Sequence, residues 1–146
     1  MQLTSQNFTP EQVIPKGLTC DGEDKSPQLS WSSFPANTKS FALSCIDPDA
    51  LGGNWAHWLI INMPISVTSL EQGAVLETRG IEVENDFSKK EYGGPCPPSG
   101  EHRYVFTIYA LDVPTLMGIT KDGFASHVEQ HALDKAELVG RYSRSI

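Results

Sequence analysis

The sequence predicts a mainly β domain of two layers, and three observations carry that reading. Ten prolines and twelve glycines cut the chain into short segments, which suit strands and tight turns better than long helices. Several segments alternate with a period of two yet are apolar on both faces, as a strand covered on both sides is. Helical spacing appears only near the C-terminus.

Gln28 to Ser32 (QLSWS) reads as a short strand ending in a turn at Pro35. Lys39 to Asp47 (KSFALSCID) sets Phe41, Leu43 and Cys45 on one face and Ala42, Ser44 and Ile46 on the other, which makes it a central strand. Trp55 to Met63 (WAHWLIINM) has the same character, and Pro64 stops it. In Arg103 to Leu111 (RYVFTIYAL), Tyr104, Phe106, Ile108 and Ala110 share one face while Val105, Thr107, Tyr109 and Leu111 share the other. Such a strand must be covered twice, as in a sandwich. Phe124, Val128, His131 and Ala132 keep helical spacing behind a capping Asp122. Leu133 to Tyr142 (LDKAELVGRY) is expected to form a second short helix closed by Gly140. No repeat or linker interrupts the chain, so one domain over residues 1–146 is expected.

Composition narrows the function. Of the 146 residues, 39% are hydrophobic and 20% charged, ordinary values for a soluble globular chain with a real core. A formal charge of −7 opposes general binding to nucleic acid or an anionic membrane, but leaves room for a small anion in a local pocket. No apolar run has the length of a membrane span, and MQLTSQNFTPEQ lacks an apolar signal core, so a cytoplasmic protein is expected. Cys20, Cys45 and Cys96 are an odd, scattered set that argues against a disulfide framework, and Cys96 reads as a buried loop cysteine. Neither CxxC nor HExxH occurs, which argues against a structural zinc site.

Two stretches concentrate chemistry. In DPDALGGNWAHW, residues 47 to 58, Asp47 ends a strand, Pro48 fixes a turn, Asp49 follows, and His57 opens the next strand. The aspartates also suit plain turn formation, and His57 a satisfied core position. In GGPCPPSGEHRYVFTIYALD, residues 93 to 112, glycines and prolines stiffen a wall whose backbone amides can line an anion-binding nest. His102 and Tyr104, two apart on a strand, point to one face and both donate hydrogen bonds. Enzymatic readings stay open beside this: Cys96 and His102 as nucleophile and base, Asp47 and Asp49 as an acid/base pair, or Asp47, Asp49, His57 and His102 around a metal. His127 and His131, four apart on the expected helix, read as surface or packing residues.

Taken together, SPQLSW, DPDA, GGNWAHWLIINMP, YGGPCPPSGEHRYVFTIYALD and HVEQHALDKAELVGRY, in that order, resemble the phosphatidylethanolamine-binding protein family, in particular its bacterial and archaeal Raf-kinase-inhibitor-like branch. Leu51 departs from the proline that the branch often places after DPDA. The resemblance implies a β-sandwich of two antiparallel sheets with short C-terminal helices. It also implies a pocket at one end lined by Asp47, Asp49, His57, Gly94, Pro95, Pro97, His102 and Tyr104. It implies a non-enzymatic binder of phosphate, acetate or phosphoethanolamine-like phospholipid head groups, without cofactor or metal. It further implies modulation or inhibition of a kinase or protease partner and, in several bacterial members, a homodimer. A metal-assisted hydrolase or lyase using the same Asp and His set is the alternative.

Overall fold

The computed structural model describes residues 1–144. Its strands are β1 (Gln2–Thr4), β2 (Leu29–Ser32), β3 (Ser40–Asp47), β4 (Trp55–Met63), β5 (Ser69–Leu70), β6 (Ile81–Val83), β7 (Glu101–Leu111) and β8 (Ala132–Ser143), and the helix α1 (Lys121–His131) runs directly into β8. Five strands form an antiparallel sheet in the order β6-β4-β3-β7-β8, and a three-stranded sheet, β1-β2-β5, packs across it.

The two-faced alternation of the sequence splits between two apolar clusters. Phe41, Leu43 and Cys45 of β3 and Phe106, Ile108 and Ala110 of β7 face the small sheet, where they meet Leu3, Leu29, Trp31 and Leu70. Ala42, Leu59, Tyr109 and Leu111 face the other way and lie under Phe124 and Val128 of α1. The middle of the large sheet is therefore covered on both sides, by a sheet and by a helix.

The second C-terminal helix expected over Leu133 to Tyr142 is instead strand β8. Burial there alternates, with Leu138, Gly140 and Tyr142 inward and Lys135, Glu137 and Ser143 outward. The segment pairs along the whole of β7, whose edge groups would otherwise lack partners. Gly140 is not a helix stop: a Cβ there would sit 2.5 Å from Ile14 Cγ1 and 2.9 Å from Phe8 Cε2, so glycine permits close packing. Asp122 sits inside the first turn of α1, and Thr120 holds the N-cap position.

Candidate ligand-binding site

Antiparallel pairing brings the end of β3 beside the beginnings of β4 and β7. Asp47 stands opposite Trp55, and Ile46 opposite Val105. His102 and Tyr104, spaced by two, share the inner face of β7 with Phe106. His57 reaches the same face by a different route. The β3–β4 register steps from Cys45↔Trp58 to Ile46↔Ala56, which leaves His57 as the extra residue of a β-bulge. Regular alternation from an inward Trp58 would turn His57 outward; the bulge turns it in and moves Ala56 to the outer cluster.

Hydrogen bonds then fix each ring. His57 Nδ1 lies 2.6 Å from the Gly93 carbonyl oxygen, which can only accept, so Nδ1 carries the proton. The His57 carbonyl accepts in return from the Gly93 amide at 3.1 Å and from Asn85 Nδ2 at 2.9 Å. Burial holds the His57 imidazole below its ordinary pKa, against the opposing pull of the Gly93 carbonyl and Asp47. His102 Nδ1 donates to Asp47 Oδ2 at 2.7 Å, and Asp47 Oδ1 accepts the Asp49 amide at 2.8 Å. Both Asp47 oxygens are thus engaged, and the carboxylate orients His102. Tyr104 is fully buried, and its Oη has no hydrogen-bond partner. The Cys96 amide bears on that oxygen without meeting hydrogen-bond geometry, while burial and then Asp47 push the Tyr104 pKa up, so the hydroxyl keeps its proton.

These groups surround a cavity of about 260 Å³ lined by Asp47, Ala50, Leu51, Trp55, His57, Phe87, Cys96, Pro97, Pro98, His102 and Tyr104. Its volume falls below the ~300–1,000 Å³ of drug-sized sites and suits a small group. The floor is polar and the rim apolar: Leu51 is 96% exposed, and Trp55 and Phe87 are 36% exposed. Phe87 meets Trp55 and His57 edge-on at 5.6 and 5.1 Å, and Tyr104 meets His57 likewise at 5.2 Å.

Of the residues expected at the pocket, Asp47, His57, Pro97, His102 and Tyr104 line this cavity, whereas Asp49, Gly94 and Pro95 do not. Asp49 turns outward to the Arg103 guanidinium, at 2.9 Å to Nε and 2.8 Å to Nη2, and takes the Arg103 amide at 2.9 Å. Those bonds lower its pKa to about 2. Gly94 lines a separate cavity of about 370 Å³ with Cys20, Glu23, Asp24 and Glu91. Of the expected wall of amides, that of Cys96 alone makes no hydrogen bond among the described residues. The Gly93 amide donates to His57, the Gly94 amide to Asp24 Oδ1 at 2.8 Å, and the prolines have none to give. Gly94 is required by space, since a Cβ would collide with Asp24 Oδ1 and the Leu18 carbonyl.

Cys96 is not a solitary buried thiol. It forms a disulfide with Cys20 across a Cα–Cα distance of 5.5 Å, which removes the Cys96–His102 nucleophile pair. The Cys20 amide donates to the Pro95 carbonyl at 3.1 Å beside the bond. Among the described residues, no three His, Cys, Asp or Glu side chains are grouped to hold a metal ion, and no helix is long and apolar enough to cross a membrane. His127 donates to the Gly123 carbonyl of its own helix and His131 pairs with Asp112, both away from the cavity. A larger groove of about 790 Å³ runs along β6 and residues 115–122, but holds none of the residues around the floor just described. Sequence reasoning missed the rim. Leu51 and Trp55 flank motif residues and were open to notice as large apolar side chains beside a turn; Phe87, in a polar stretch, carried no signal.

Fold and site together define a class: an antiparallel β-sandwich with a small histidine-floored cavity at the loop end of its larger sheet. The family model described as phosphatidylethanolamine-binding protein matches residues 4–143, and the chain belongs to that family. It is 42% identical over 150 residues to a UPF0098 protein of Methanothermobacter thermautotrophicus, covering 99% of each chain. Among solved structures, it resembles YbcL of Escherichia coli, described as a new member of the mammalian PEBP family, with a TM-score of 0.93 and 30% identity over 99% of this chain and 98% of that one. It also resembles the putative phosphatidylethanolamine-binding protein homologue CT736 of Chlamydia trachomatis, with a TM-score of 0.90 and 37% identity over 99% and 97%.

Proposed function

We propose that the protein is a non-enzymatic binder of small anionic groups, phosphate or phosphoethanolamine-like head groups, which it holds in the 260 Å³ cavity. One observation carries the reading: the Asp47–His102 pair at the cavity floor. Asp47 fixes the proton on Nδ1 and orients the ring, and in the imidazolium form its Nε2–H donates to an anion oxygen. With both its oxygens engaged, Asp47 adds little repulsion of its own. Tyr104 stands behind this floor as a further donor, and a ligand that parts the wall at Cys96 gives its Oη a first hydrogen bond. The apolar rim of Leu51, Trp55 and Phe87 supplies a surface through which ligand occupancy is read by a kinase or protease partner.

The cytoplasmic expectation meets the Cys20–Cys96 crosslink, which persists most readily in oxidising compartments. A cytoplasmic location requires the bond to withstand the thiol pool, and alkylation of the protein in freshly lysed native cells reads this directly. The binding reading is tested by calorimetric titration with inorganic phosphate. Saturable binding that weakens at least about tenfold in His102→Gln is expected, since a hydrogen bond to a charged group contributes roughly 1.5–3 kcal/mol. Wild-type protein that takes up no phosphate, or a variant that binds as well, sinks it.

A further inference from the structure

We propose that His57 makes the cavity selective for oxyanions that carry a proton, such as hydrogenphosphate, over anions whose oxygens only accept, such as sulfate and phosphodiesters. The inference rests on the anion reading of this cavity and adds the kind of anion. Its basis is the fixed tautomer of one ring. A carbonyl cannot donate, so the 2.6 Å contact with Gly93 assigns the proton to Nδ1 and leaves Nε2 a lone pair. Nε2 has no partner among the described residues and is not sealed, since the buried side-chain polar atoms without a partner are Trp31 Nε1 and Tyr104 Oη. It is the ring's only polar atom left to meet whatever fills the cavity. Whatever oxygen lies against it must bring the proton.

The alternative, a second proton on His57 that would turn Nε2 into a donor, is opposed by the surroundings. The residue is 3% exposed and lies between the rings of Phe87 and Tyr104. The Gly93 and Gly94 carbonyls favour the cation, as do two carboxylates, Asp47 from β3 and Asp24 from the loop that backs Gly94. Each carboxylate is already engaged, by His102 with the Asp49 amide and by the Gly94 amide. From β7, His102 adds positive charge when protonated and Tyr104 adds a neutral hydroxyl. Burial prevails, and the ring stays neutral. The floor therefore presents one acceptor, His57 Nε2, beside His102, whose Nε2 donates when that ring carries a second proton. Hydrogenphosphate matches both. Sulfate and a phosphodiester set an oxygen lone pair against the His57 lone pair, and such a site discriminates through the group it leaves unpaired.

The test titrates inorganic phosphate, sulfate and dimethyl phosphate into the protein at pH 6.5 and constant ionic strength. Phosphate should bind roughly ten- to hundredfold more tightly than either of the others, the factor expected for one unmet buried hydrogen bond. Equal affinities overturn the selectivity while leaving the anion site standing. Failure of all three to bind overturns the anion reading, and the selectivity with it. In His57→Phe, which keeps a ring between Phe87 and Tyr104 but removes the acceptor, the phosphate-to-sulfate ratio should fall towards one. A ratio that stays high counts against His57, and if the variant does not fold, the wild-type ratios still decide.

Discussion

Buried Tyr104 and half-buried Tyr92 should respond with opposite signs to loss of their hydroxyls. Tyr104 Oη is buried without a partner, and Asp47, the nearby carboxylate, has both oxygens occupied by His102 and the Asp49 amide. Tyr92 Oη, by contrast, donates to the Leu18 carbonyl at 2.8 Å. A buried polar group left unmet costs about 1–3 kcal/mol, whereas a satisfied hydrogen bond contributes about 1 kcal/mol net. Tyr104→Phe should therefore stabilise the ligand-free protein by about 1 kcal/mol, and Tyr92→Phe should destabilise it by a similar amount. For a chain of this size that separates the two variants by roughly 4–8 °C in Tm. Urea denaturation of both variants beside the wild type, at pH 7 without phosphate, checks the sign through the midpoint at constant m-value. The same Tyr104→Phe protein should bind phosphate more weakly, because the hydroxyl's first partner is the ligand. A Tyr104→Phe protein less stable than wild type by 1 kcal/mol or more would refute the reasoning, since its hydroxyl would then already have a partner.

Other perturbations probe the supports of the site. Because burial lowers the His57 pKa, the unfolded chain takes up this proton near pH 6.5 while the fold resists until lower pH. The folded state therefore loses stability as pH falls through that window. Wild type should lose more stability than His57→Gln between pH 8 and pH 5 in urea titrations, and parallel losses would show that His57 is not the cause. The Cys20–Cys96 bond closes a sequence separation of 76 residues, and replacing both cysteines by serine should cost about 4 kcal/mol of chain-entropy stabilisation, visible as a lower urea midpoint. A cost under 1 kcal/mol would mean that the unfolded chain already holds these segments together. Gly94→Ala forces a Cβ into Asp24 and the Leu18 carbonyl and should cost about 1–3 kcal/mol; a neutral result in thermal denaturation would show that the wall yields.

What the sequence made legible follows from how far each signal reaches along the chain. β3, β4 and β7 are long enough for alternation to show on both faces, and their ends fall within two residues of expectation. β1, β5 and β6 have two or three residues each and leave no periodic trace. β8 misled because LDKAELVGRY is rich in helix formers, and its pairing with β7 decides the conformation against local propensity. At the site, the residue types around Asp47, His57, His102 and Tyr104 were readable, since each lies in or beside a long strand. Their roles were not. Only register shows that His57 is a bulge residue, and only the fold shows that Asp49 has a closer claim on it from Arg103. Only a 5.5 Å approach of Cα atoms tells that Cys20 and Cys96 are partners.

A ligand's place can be argued by subtraction, and the two cavities that share Cys96 and Phe87 show how. On one side of the wall, structural bonds consume Asp47, His57 Nδ1, the Gly93 amide and the Gly94 amide, which leaves His57 Nε2, His102 Nε2, the Cys96 amide and, behind them, Tyr104 Oη. On the other side Glu23 pairs with Lys25 at 3.0 Å, Glu91 faces solvent with Lys89, and the Gly93 and Gly94 amides are spent. An anion entering the 370 Å³ cavity meets mostly like charge, whereas one entering the 260 Å³ cavity meets the His102 ring, which Asp47 orients. Phosphate soaked into crystals should therefore lie against His57 and His102. Its appearance beside Gly94 and Asp24 instead would mean that the polar accounting on which this placement rests has missed a donor.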